Sequence, residues 1–182
     1  MSEVVWTQWD DLKVPAGVTL RSPKDFPLES SDLSQINFYV PTYMGGKAAL
    51  EWAAKMPNLK VLQMPNAGYD DALAYLRPGL TLCNAAGVHD ASTAELAVAL
   101  ALASRRGIPD FVRDQNNENW NHQKRTSLSD SRIGIVGYGS IGKQVAKNLS
   151  GFDVEVIGFS KSGRDGSKKI EELDSYLPSL DI

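Results

Sequence analysis

Three glycines, Gly137, Gly139 and Gly142, stand in a G-x-G-x-x-G spacing directly behind the apolar positions Ile133, Ile135 and Val136. The chemistry such a turn can do is to hold a pyrophosphate. The first glycine permits a tight turn, the second lets backbone approach the phosphates with no Cβ in the way, and the third lets the next helix pack closely on the strand. The phosphates would sit at that helix's N-terminus, where unpaired N–H groups and the helix dipole attract anions. Glycines at this spacing also occur in ordinary βα turns, so the flanking pattern decides the assignment. Ile141, Val145 and Leu149 follow at i, i+4 and i+8, the stripe of a helix lying on a sheet. Val154, Val156, Ile157 and Phe159 then read as a second, largely buried strand, completing one βαβ unit of dinucleotide-binding size.

The end of that second strand sets the expected cofactor. NAD-selective sites place an Asp or Glu about 20 residues past the glycines to hold the ribose 2′-hydroxyl. Here that place falls near Ser160, followed by Lys161, Ser162, Gly163 and Arg164, with no carboxylate before Asp165. Ser160, Lys161 and Arg164 can accept the charge of a 2′-phosphate, which a carboxylate would repel. NADP is therefore expected in preference to NAD; the alternative is a solvated basic loop, where Lys and Arg ordinarily lie.

Composition narrows the function classes. The 182 residues are 42% hydrophobic, enough for one sizeable core or two small ones. A net charge of -3 provides no basic field for nucleic acid. The longest apolar stretch, 96–103, is too short to span a bilayer, and the first residues carry no basic-then-apolar signal, so a cytoplasmic location is the default expectation. Cys83 is the single cysteine, which excludes an internal disulfide, and it is expected to be a small buried hydrophobe. No metal site is expected.

Ahead of the glycine turn, short apolar runs alternate with helical segments, the pattern of a parallel α/β layer. Strands are expected near 4–6, 38–40, 61–64 and 80–84, with helical character across 47–55 and no assigned structure over 21–35. The loops 65–70 and 85–90 each follow a strand, at the carboxyl edge where open α/β sheets bind ligands. Their small residues would leave N–H groups exposed for an anion, although each loop alone is also an ordinary βα turn. Tyr43, Met44 and Tyr69 are candidates either for a substrate-pocket wall or for core.

Ser92 and Glu95 form a capping-box pattern that opens a helix over 92–106. Apolar on nearly every side, this helix is expected to be buried all round, between two domains or two subunits. Arg105 and Arg106 suit its C-terminal dipole and Gly107 stops it. A polar crossover over 110–123, anchored by Phe111, Val112 and Trp120, leads to the strand at Ile133. Residues 180–182 read as the opening of a third strand of the second sheet.

In this order, the 66–70 loop with Asn66, Ala67, Gly68, Tyr69 and Asp70, the 86–95 segment, the 105–120 crossover and the Gly137–Gly142 fingerprint resemble the D-isomer-specific 2-hydroxyacid dehydrogenases. The resemblance spans residues 60–165 or so. It implies a flavodoxin-like substrate domain over 1–90, incomplete without a C-terminal segment, followed by a truncated Rossmann dinucleotide-binding domain over 91–182. It also implies a homodimer through helix 92–106 and hydride transfer between a nicotinamide and a 2-keto or 2-hydroxy acid such as glyoxylate, hydroxypyruvate or 3-phosphoglycerate. By position, the backbone of Ala67 and Gly68 would bind the substrate carboxylate, and Val88 and Thr93 would lie near the nicotinamide half of the cofactor. Gly139, Ser140 and Ile141 would hold the pyrophosphate. Ser160, Lys161 and Arg164 stand where NAD-using members of that family carry their acidic ribose contact.

The same resemblance places the family's catalytic Arg, Glu and His after the region corresponding to 177–182. His89 and His122, the two histidines, do not match the acid/base position. No catalytic residue is therefore expected within residues 1–182, which are expected to be inactive alone. The alternative is a non-catalytic, nucleotide-sensing dimerisation protein of the same fold.

Overall fold

The computed structural model describes residues 3–182. Contacts along the chain divide it into two units, Met1–Val88 and His89–Ile182. In the first, β1 (Glu3–Trp6), β2 (Val18–Arg21), β3 (Phe38–Tyr39), β4 (Val61–Gln63) and β5 (Thr81–Cys83) form one parallel sheet in the order β2-β1-β3-β4-β5. This is the flavodoxin-like order. Helix α1 (Gly46–Ala54) follows β3 and buries Ala49, Leu50 and Ala53 on a core that includes Trp6, Ile36, Tyr39, Met56 and Leu62. The aromatic residues in that core satisfy their polar tips, as burial requires. The Trp6 indole N–H donates to the Phe26 carbonyl at 2.9 Å and the Tyr39 hydroxyl to the Ala49 carbonyl at 2.7 Å. Arg77 donates to the Ala53 and Met56 carbonyls, setting a cation at the negative end of α1.

The four expected strands of this unit form, and a fifth, β2, joins them after the turn at Gly17, whose φ is 86°. β2 pairs with β1 alone at the sheet edge and is half-buried throughout. The segment after β4 becomes a 3-10 helix, Asp70–Tyr75. One sequence expectation changes and one open alternative is decided. Cys83 is half-buried rather than buried, because β5 is the opposite edge strand. Tyr43, Met44 and Tyr69 are exposed, Met44 at 82%, so none of them is core.

The second unit comprises α2 (Asp90–Arg106), α3 (Ile108–Asn116), β6 (Ser131–Val136), α4 (Ser140–Leu149), β7 (Val154–Ser160), β8 (Lys168–Lys169) and α5 (Leu173–Tyr176). Its sheet is parallel, in the order β6-β7-β8. Residues 180–182 run along the other edge of β6, where Asp181 N–H donates to the Arg132 carbonyl and Gly134 N–H to the Ile182 carbonyl, both at 2.8 Å. The third strand is therefore β8, and 180–182 open a fourth position on the far side. Chain direction thus diverges at β6, making its carboxyl end a topological switch point, where such sheets bind ligands. Leu128, Ile133 and Leu149 form the core, with Val98 and Leu102 of α2 and Ile135 and Val145 packed on it.

Helix α2 starts earlier than its capping-box pattern predicts. It begins at Asp90, with Thr93 N–H already bonded to the His89 carbonyl at 3.0 Å, so Ser92 lies inside the first turn and does not cap. Asp90 explains the early start, since a carboxylate in the first turn suits the helix dipole. Nor is the helix buried all round in this chain. Val98 and Leu102 pack on the unit's core and Ala94 is buried, while Leu96 and Leu100 are 59% and 60% exposed. The crossover is anchored otherwise as well. Phe111 and Val112 are exposed and Trp120 is 92% exposed. Arg125 instead holds the segment, pairing with Asp110 at 2.7 Å and lying over the Phe111 ring.

Candidate functional site

The glycine turn is built at the switch point. Gly137 has a φ of 97°, a left-handed backbone that favours glycine. The N–H groups of Gly137 and Tyr138 both donate to the Phe159 carbonyl, at 2.9 and 3.0 Å, which locks the turn to the end of β7. Gly142 is required by packing, because a Cβ there would stand 2.2 Å from the Gly137 carbonyl oxygen. Gly139 is different: it precedes α4 in extended backbone, and a Cβ added to it would meet nothing of this chain within 4 Å. Helix α4 has no side-chain cap. Its first-turn N–H groups, those of Ser140, Ile141 and Gly142, lack helical partners by geometry and lie directly after Gly139. A pyrophosphate fits this cradle: Gly139 admits its approach and the α4 N-terminus supplies the donors. The Ser140 side chain is directed elsewhere, since its hydroxyl donates to Asp90, a contact that the sequence alone did not signal.

Beyond β7 the chain forms a tight turn carrying the candidate cations. Lys161 and Arg164 are exposed, and neither takes part in an ion pair among the described residues. Asp165 does: Lys143 of α4 holds it at 2.7 Å, and the hydrogen bond and charge of Lys143 keep its carboxyl below the usual range. The first carboxylate after β7 is thus already neutralised. Ser160 is tied inward. Its Oγ accepts from Gly163 N–H at 3.0 Å and lies 2.7 Å from the Oγ of buried Ser167. Ser167, seven residues away across a loop, had no signal in the sequence pattern.

In the first unit, the 65–70 loop stands at the carboxyl end of β4. The Asn84 amide donates to the Ala67 carbonyl at 2.8 Å, and Ala85 N–H to the Asn66 carbonyl at 2.9 Å. Those bonds fix the loop while the N–H groups of Ala67 and Gly68 have no hydrogen-bond partner among the described residues. A carboxylate could occupy that pair of donors. A cavity of about 210 Å³ lies against the same loop, lined in part by Met44, Met64 and Asn66. Val88 ends the first unit, 68% exposed. Thr93 lies in the exposed first turns of α2, His89 precedes that helix, and His122 is exposed after α3. Among the described residues no helix is long and apolar enough to cross a membrane.

Known proteins match this architecture. The family model "D-isomer specific 2-hydroxyacid dehydrogenase, NAD binding domain" matches residues 98–182. A glyoxylate/hydroxypyruvate reductase of Arabidopsis thaliana is 33% identical over 123 residues, covering 64% of this chain and 38% of that protein. A glyoxylate reductase of Thermococcus litoralis is 30% identical over 165 residues, covering 85% and 47%. The chain thus spans less than half the length of these curated relatives. Among solved structures, the NADPH-dependent glyoxylate/hydroxypyruvate reductase of Sinorhizobium meliloti, in complex with NADP and sulfate, superposes with a TM-score of 0.76 at 24% identity, over 100% of this chain and 60% of that one. A D-lactate dehydrogenase of the same fold was solved with NAD and lactic acid. Residues 98–182 thus match the NAD-binding domain of the D-isomer-specific 2-hydroxyacid dehydrogenase family, and the chain as a whole is similar to proteins of that family in sequence and fold.

Proposed function

We propose that this chain is the cofactor-binding and substrate-anchoring part of an NADPH-preferring reductase of small 2-keto acids such as glyoxylate or hydroxypyruvate. The observation that carries the cofactor preference is the turn after β7: two exposed cations without ion-pair partners, no free carboxylate, and Asp165 neutralised by Lys143. When bound, the nicotinamide supplies the hydride. Gly139, Ser140 and Ile141 hold the pyrophosphate through backbone N–H groups, Gly137 and Gly142 shape the turn, and Ser160, Lys161 and Arg164 form the 2′-phosphate side. The Ala67 and Gly68 N–H groups orient a substrate carboxylate, and Val88 and Thr93 border the nicotinamide. The face of α2 bearing Leu96 and Leu100 pairs two copies into a homodimer. Proton exchange and polarisation of the carbonyl require an acid/base group and a cation placed at the substrate; His89 and His122 do not match the family's acid/base position, and residues 1–182 alone bind cofactor without turnover.

Titration of the full-length protein with NADPH and NADH tests the preference. NADPH binds more tightly, and Lys161→Ala or Arg164→Ala each weakens it roughly five- to tenfold, the scale of an exposed charge-assisted hydrogen bond, while NADH is unchanged. Equal binding of the two cofactors by the wild type refutes the preference.

A further inference from the structure

The turn that bears Lys161 and Arg164 is organised by a buried serine. Ser167 is 7% exposed, and its hydroxyl stands 2.6 Å from the Arg164 carbonyl oxygen. A carbonyl has no proton to give, so the Ser167 proton goes to Arg164. The 2.7 Å contact between Ser160 and Ser167 must then use the Ser160 proton, and Ser160 Oγ in turn accepts from Gly163 N–H. The result is a directed relay: Gly163 N–H to Ser160, Ser160 to Ser167, Ser167 to the Arg164 carbonyl. Ser167 N–H adds a second bond to that same carbonyl at 3.0 Å. The relay crosses the turn from the end of β7 to the start of β8 and fixes the backbone on both sides of the two cations. Its outer edge is closed by the Phe159 and Ser160 pairing with Lys168 and Lys169.

We infer that Ser167 is a specificity-positioning residue: its buried hydroxyl, acting through Ser160, holds residues 161–164 in the shape that presents Lys161 and Arg164 to the 2′-phosphate of NADPH. It touches no cofactor itself. The inference rests on the NADPH preference proposed above. Because Ser160 spends its proton inside the relay, its part in cofactor choice is to shape the turn rather than to donate to phosphate.

The test uses the full-length protein and four probes: NADPH, NADH, adenosine 2′,5′-bisphosphate and 5′-AMP. Ser167→Ala is expected to weaken NADPH and the bisphosphate about fivefold to tenfold, the value of one buried hydrogen bond to a polar partner, with NADH and AMP within about twofold of wild type. Ser160→Ala is expected to do the same. The double variant should lose no more than either single one, because both cut one relay. Additive losses, or a Ser167→Ala variant that weakens NADPH and NADH alike, overturn the assignment and leave Ser167 a structural residue. A stable Ser160→Ala protein with an unchanged NADPH to NADH ratio overturns it too, whatever the folding of Ser167→Ala. A wild type that binds the bisphosphate no better than AMP is a separate outcome, since it removes the NADPH preference itself and the inference with it.

Discussion

Gly139 and Gly142 sit three residues apart in one motif, yet the structure assigns them different physical duties, and a pair of alanine variants separates the two. At Gly142 an added Cβ lies 2.2 Å from a backbone oxygen, whereas ordinary contact begins at 3.4 Å, so the α4 N-terminus and the glycine turn must part by about 1 Å. Overpacking of this kind costs about 1–3 kcal/mol, against a helix-propensity gain of at most ~1 kcal/mol. A net loss of roughly 1–2 kcal/mol in the second unit corresponds to a fall in Tm of several degrees, at about 4–8 °C per kcal/mol for a unit of this size. At Gly139 nothing of the chain lies within 4 Å of the added methyl, and stability should stay within about 0.5 kcal/mol of wild type. The methyl instead enters the space over the α4 N–H groups. Displacing a phosphate oxygen from one such donor removes a charge-assisted bond of about 2 kcal/mol, roughly a thirtyfold loss in affinity for NADPH and NADH alike. Thermal melting without ligand, paired with fluorescence titration of both cofactors, reads the two effects independently. A Gly139→Ala protein that melts normally and binds normally refutes the cradle, because it shows that no ligand approaches that backbone.

Other outcomes follow from the same geometry. Burial pushes the Tyr39 phenol well above its ordinary value of 10.0. The unfolded chain therefore releases this proton at a pH where the folded chain keeps it, and the contribution to stability is full below pH 10.0 and lost as pH rises toward the folded value. Tyr39→Phe should cost about 1 kcal/mol near neutrality through the lost bond to the Ala49 carbonyl. It should also flatten the decline of the urea midpoint between about pH 9 and about pH 11; an unaltered decline would falsify the assignment to Tyr39. Arg77→Met removes both cation-to-carbonyl bonds at the end of α1 and should lower stability by about 2–3 kcal/mol, measured by urea unfolding. Replacing Leu96 and Leu100 by Ser should convert a dimer to a monomer in light scattering of the full-length protein, and an unchanged mass would show that this face is not the interface.

The parts of the fold legible in the sequence were those whose pattern is set within one element. The β6-α4-β7 unit declared itself because three glycines, an i, i+4, i+8 stripe and a buried strand coincide in one stretch, and the geometry of Gly137 and Gly142 follows from their spacing. β2 escaped because four half-buried residues at a sheet edge have no alternation to show. Ser92 looked like a cap because capping boxes are local patterns, while the true start at Asp90 is fixed by the turn before it. Trp120 reads as an anchor because aromatic residues usually are, yet Arg125 holds the segment through a partner fifteen residues back. On the site side, cations and glycines announce themselves by type. The Ser160 and Ser167 relay does not, since it depends on a loop bringing two small polar residues together, and no spacing rule encodes that.

Pairing on both edges of β6 has a consequence for hydrogen exchange. Its amides bond to β7 on one side and to residues 180–182 on the other, while β8 is a two-residue edge strand paired on one side. Within this sheet, deuterium should enter the edge strand β8 before the β6 amides leading into the glycine turn. On the proposed assignment, the pyrophosphate cradle would hang from the strand paired on both edges, and the residues proposed to tell the cofactors apart would lie next to the strand paired on one. Substitutions that retune cofactor choice would act at the margin of the sheet, leaving the strand that carries the phosphate turn undisturbed.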